Sequence, residues 1–90
     1  MENDFTIWGP IRHEDLPGLC ERVCASLHAR GADDARCDVT GVEPDAVTVD
    51  ALARLQLAAT RIGCRVRIAN ASHELRDVIA FMGLENVLTE

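Results

Sequence analysis

Apolar residues recur along this chain in two alternating periods, and each change of period marks an element. Phe5-Thr6-Ile7-Trp8 alternates and runs into Gly9-Pro10, which predicts a short first strand near residues 4 to 8, closed by a bend. Leu16, Leu19, Cys20, Val23 and Leu27 then recur at helical spacing, with Asp15 before Pro17 as a start signal. This predicts a first helix that ends before Gly31. From Ala35 to Thr40 the period returns to two, with Cys37 and Val39 on one side and Arg36, Asp38 and Thr40 on the other.

The longest element follows. From about Ala46 to Ile62, Leu52, Leu55, Ala59 and Ile62 fall on one apolar face with Ala51 and Ala58 beside them, and Gly63 stands at the usual C-terminal position. Cys64-Arg65-Val66-Arg67-Ile68 alternates strictly and reads as the third strand. Ser72 is an N-cap candidate for a third helix built on Leu75, Val78, Ile79 and Met82, with Gly83-Leu84 suiting a Schellman ending. Asn86-Val87-Leu88 is left as a possible short last strand.

The order predicts right-handed crossovers and a mainly parallel sheet. Strands covered on both faces should be apolar throughout, yet Thr6, Arg36, Asp38, Arg65 and Arg67 each fall on one side of their strands. The pattern therefore predicts three helices on one sheet face and a second face left wet.

Composition narrows the class. The 90 residues fit one domain, 48% apolar and 27% charged, an ordinary globular profile without a low-complexity tract. A net charge of -6, with nine basic residues that form no run, argues against nucleic acid and toward basic or apolar partner surfaces. No apolar run reaches the roughly 20 residues needed to cross a bilayer, and Met-Glu-Asn-Asp lacks the basic-then-apolar layout of a signal peptide. The expectation is a cytoplasmic protein. In that reducing compartment Cys20, Cys24, Cys37 and Cys64 read as small buried apolar residues.

Candidate chemistry is sparse. Cys20, Cys24 and His28 lie on successive turns of one helix, but at roughly 100° per residue Cys24 and His28 drift about 80° and 120° from Leu16 and do not converge on a metal. His13 and His73 fall near helix starts, where the dipole disfavours imidazolium. Glu14-Asp15 and Asp33-Asp34 suit a helix start and a turn better than an acid/base pair. There is no phosphate loop or nucleophile elbow, so no cofactor, metal or catalytic residue is expected. What stands out is the outer side of the second helix, where Asp50, Arg54 and Arg61 ring Leu57, as charges ring an apolar anchor at an interaction surface.

From Cys37 to Leu88 the chain resembles the STAS domains, the family of anti-sigma factor antagonists and related domains of lipid and sulfate transport systems. The resemblance is carried by Cys37-Asp38-Val39-Thr40-Gly41-Val42, similar to the family's Asp-Leu-Ser-Gly-Val strand, by Asp45 to Leu52, by Gly63 to Ile68, and by Phe81-Met82-Gly83-Leu84. It implies a bacterial, non-catalytic regulator of transcription that docks an anti-sigma factor or a kinase-like protein. A short N-terminal part is similar to the compact lipid-transport subgroup, which implies the alternative of a cytoplasmic accessory subunit bound to a transporter ATPase.

The combined expectation is one α/β STAS-like domain over residues 1-90, with a mostly parallel or mixed sheet of about four strands and three helices mainly on one face. Family members carry Asp-Ser-Ser-Gly-Leu at the start of the second helix, where a partner kinase phosphorylates a hydroxyl. Here Ala46 and Val47 stand at the Ser positions, and Thr48 is the only nearby hydroxyl. The expected docking surface is thus Asp45, Ala46, Val47, Thr48, Asp50, Arg54 and Leu57, without the usual phosphoswitch.

Overall fold

The computed structural model describes residues 4-9 and 11-88. Pro10, which the sequence places at the end of the first strand, lies outside the described residues, as do the first three residues of the expected non-signal start. The elements run β1 (Asp4–Trp8), α1 (Leu16–Ala29), β2 (Asp34–Gly41), α2 (Ala46–Arg61), β3 (Arg65–Ala69) and α3 (His73–Phe81), with a 3-10 turn at His13–Asp15 ahead of α1.

The helix ends are written locally. Asp45 caps α2 by accepting a 2.8 Å hydrogen bond from the Thr48 N–H, and the Ser72 hydroxyl accepts one of 3.1 Å from the Leu75 N–H. Asp15 makes no such bond. The 3-10 turn leads directly into α1, so Asp15 already has helical dihedrals and Pro17 alone supplies the start signal. All three helices end in Schellman motifs. In the third, for example, Leu84 N–H donates to Ile79 O and Gly83 N–H to Ala80 O, with Gly83 at a φ of 72° that glycine adopts without strain.

The sheet is parallel throughout, in the order β1-β2-β3. Both crossovers step the same way across it, so the right-handed rule places α1 and α2 on the same face, where they pack against each other. Ile7, Ala35, Cys37, Val39, Val66 and Ile68 point into the core beneath the helices, meeting Leu27, Val49, Leu52, Leu55, Leu75 and Ile79. The opposite face carries Thr6, Trp8, Arg36, Asp38, Thr40, Arg65 and Arg67, all exposed except the half-buried Asp38. A wet second face on a parallel sheet departs from the usual two-sided cover.

One expectation is corrected. The sheet has three strands among the described residues instead of about four, because Asn86 to Leu88 forms a helical turn in which the Val87 and Leu88 N–H groups both donate to Leu84 O. The position beside β3 is already occupied. The Gln56 side chain of α2 donates through Nε2 to Val66 O at 2.7 Å and accepts at Oε1 from the Val66 N–H at 2.9 Å. With the edge satisfied there, Leu88 is free to turn into the core.

Candidate functional site

The expected surface runs from the Asp45 cap along the outer side of α2. At the N-terminal end, Asp45 spends one carboxylate oxygen on the helix cap, Ala46 is exposed and Val47 is half-buried. Thr48 is fully enclosed, at 0% exposure, and its Oγ1 finds no hydrogen-bond partner. A kinase therefore meets no hydroxyl on this turn. Asp50, Arg54, Leu57, Ala58 and Arg61 follow on a single stripe at spacings of four, three, one and three. At about 1.5 Å rise per residue, Leu57 stands roughly 18 Å along the helix from Asp45.

The stripe is completed by α1. Leu16, Pro17 and Cys20 face Arg54, Leu57, Ala58 and Arg61 across a groove of about 360 Å³. Leu16 is buried at the base and the small Ala58 keeps the floor low, while Leu57 rises at the rim with 60% of its surface exposed. Arg54 Nε donates to Asp50 Oδ2 at 3.0 Å, an i,i+4 ion pair that fixes the guanidinium at the groove edge. Arg61 is exposed at the other end. Two arginines against one aspartate make this a locally positive strip on a chain of net charge -6.

Burial raises the Cys20 thiol pKa above its ordinary range, and the neighbouring Cys24 raises it further, against an opposing pull from Arg54. Cys20 is therefore a protonated, weakly nucleophilic wall of the groove at neutral pH. Cys24 is half-buried, His28 is exposed, and no three His, Cys, Asp or Glu side chains gather at a metal-sized point among the described residues.

Sequence reasoning missed the α1 half of the groove. Leu16 and Cys20 were legible as apolar residues four apart, but only the α1 and α2 packing brings them against Leu57.

On the open sheet face Asp38 collects several donors. The Thr40 hydroxyl at 2.6 Å and the Thr40 N–H at 2.9 Å both donate to Oδ1, and Asn70 Nδ2 donates to Oδ2 at 3.3 Å. These bonds hold the carboxylate below the usual aspartate range, the Thr40 hydroxyl contributing most. Arg67 Nη2 donates to Asp34 Oδ2 at 2.6 Å across the strands. Arg36 and Arg65 stand exposed on the same face.

No protein-family model matches this chain, and no curated protein is significantly similar to it. Among the described residues no helix is long and apolar enough to cross a membrane.

Proposed function

We propose that this chain is a non-catalytic binding domain of the STAS type that docks a partner protein in the groove between the start of α1 and the outer face of α2. The observation that carries this reading is Leu57, exposed between Arg54 and Arg61 above an apolar floor. A large aliphatic side chain held in that setting loses water against a matching apolar residue, while its charged rim selects what surrounds that residue. The groove asks for an apolar anchor flanked by carboxylates, the reverse of the basic partner that net charge alone suggests.

An acidic, amphipathic segment of an anti-sigma factor or kinase-like protein fits that description, and so does one on a transporter ATPase. Regulation proceeds by occupancy alone, since Ala46 and Val47 carry no hydroxyl and Thr48 is enclosed. Capture from native lysate with the wild type, Leu57→Asp and Arg61→Glu tests the reading, with circular dichroism checking that all three remain folded. A partner retained by the wild type and lost by both variants supports it, and the identity of that partner separates the two classes. Equal retention by all three refutes it.

A further inference from the structure

The two edges of the sheet are treated differently. β3 is blunted at Val66 by the Gln56 carboxamide, whereas among the described residues the outer edge of β1 borders a channel between the strand and α1. Two adjoining grooves of about 560 and 170 Å³ make up the channel, sharing Thr6, Arg22 and Val23. Gly9 N–H donates to Gly41 O at 2.9 Å, on the β2 side. Counting back by the strand period of two, Phe5 and Ile7 also point their main-chain groups at β2, and Thr6 and Trp8 point theirs at the open edge.

The channel is acidic at one end only: Glu14 and Asp15 stand at its Trp8 end, Arg22 beside Thr6 in the middle, and Arg30 at its Phe5 end. An occupant that complements it must carry an extended strand, apolar side chains facing the helix layer, and charges in the opposite order. A second copy of the chain, turned so that its β1 runs the other way, brings the strand, the apolar Phe5 and Ile7, and its own Glu14, Asp15 and Arg30 in the opposite order.

We propose that β1 is the contact through which two copies of this chain pair antiparallel about a two-fold axis at Thr6, making one continuous sheet. Thr6 of each copy exchanges both main-chain hydrogen bonds with Thr6 of the other, and Asp4 does so with Trp8, each through groups that face the open edge. Phe5 then sits opposite Ile7 on the helix side, an aromatic against a β-branched residue. The reversal brings Glu14 and Asp15 of one copy toward Arg30 of the other, and symmetry makes each such contact twice. The surface lies on the other side of α1 from the α2 groove, so this pairing and the docking of a partner stand or fall separately.

Sedimentation equilibrium of the full chain over a dilution series tests the proposal. The expected result is a reversible monomer and dimer. Thr6→Pro removes an outward N–H at an edge, where proline is tolerated, and is expected to leave only monomer, with a urea midpoint equal to that of the wild type at dilutions where it too is monomeric. Glu14→Arg, independent of any strand effect, is expected to weaken the dimer about tenfold, two rim pairs being lost. Adding Arg30→Glu to it restores the wild-type constant. A wild type that stays monomeric overturns the proposal and leaves the edge to a strand of some other protein. A dimer indifferent to the charge reversal and its compensation overturns it equally.

Discussion

The carboxamide of Gln56 takes the place of a neighbouring strand for Val66, donating to its carbonyl oxygen at 2.7 Å and accepting from its N–H at 2.9 Å. A side chain on a helix thereby covers the sheet edge at Val66, and its Nε2 reaches on to Val87 O at 3.2 Å. Gln56→Leu keeps the bulk but leaves both Val66 groups without a partner, at an expected cost of about 2 to 3 kcal/mol. Urea unfolding measures it, and hydrogen exchange at the Val66 amide should accelerate in parallel. A change under about 0.5 kcal/mol means that water satisfies the edge as well as Gln56 does.

Thr48 carries the opposite imbalance, a hydroxyl enclosed with no partner. Thr48→Val keeps the shape and removes the stranded group, so the protein should gain about 1 kcal/mol. A destabilised variant would show that the hydroxyl has a partner in solution. The same enclosure predicts no phosphate on this residue in the folded chain when it is incubated with a kinase and read by mass spectrometry.

Trp8 is the single tryptophan and lies 72% exposed against Gly41, its partner across the strands. A Cβ at Gly41 would come within 2.5 Å of the indole Cε3. Gly41→Ala must therefore push the ring off the sheet, and the emission maximum should move toward that of a fully solvated indole. An unshifted spectrum would place the ring elsewhere.

The Asp38 carboxylate is held low first by the Thr40 hydroxyl, then by the Thr40 N–H. A carboxyl with a depressed folded pKa stabilises the fold above its unfolded value, near 4, and loses that contribution as pH falls through the folded pKa. Thr40→Val should raise the Asp38 titration midpoint, followed by carboxyl carbon NMR, and shrink the acid-side loss of stability. An unmoved midpoint would show that the backbone N–H alone sets it.

The thiols should react in order of access. Burial pushes the Cys37 pKa up to about 12, and the nearby Asp38 charge pushes it the same way; Cys37 has no exposed surface and Cys64 almost none. Alkylation at neutral pH should modify the half-buried Cys20 and Cys24 first and reach Cys37 only at the rate of unfolding. Fast labelling of Cys37 in the native protein would contradict its place in the core.

Most of the element plan was legible because it is written locally. Alternation at Ala35 to Thr40, the Ser72 and Asp45 caps and the glycines at 31, 63 and 83 each act within a few residues, so reading them needs no knowledge of the rest of the chain. Even the wet sheet face followed from the side on which Arg36, Arg65 and Arg67 fall. The Asn86 to Leu88 segment escaped that reading, since three residues are compatible with strand or turn. Its fate depends on Gln56, 31 positions away from Val87.

The sequence alone thus determined the three helices, the three strands, the side each presents to the core, and the absence of a hydroxyl at Ala46 and Val47, all from short-range periodicity and residue chemistry. Only the tertiary structure decided that the sheet has three strands among the described residues and that α1 supplies half of the groove beside Leu57. Those outcomes depend on which faces meet after the crossovers close. Contacts between residues dozens of positions apart leave no period for a sequence to display.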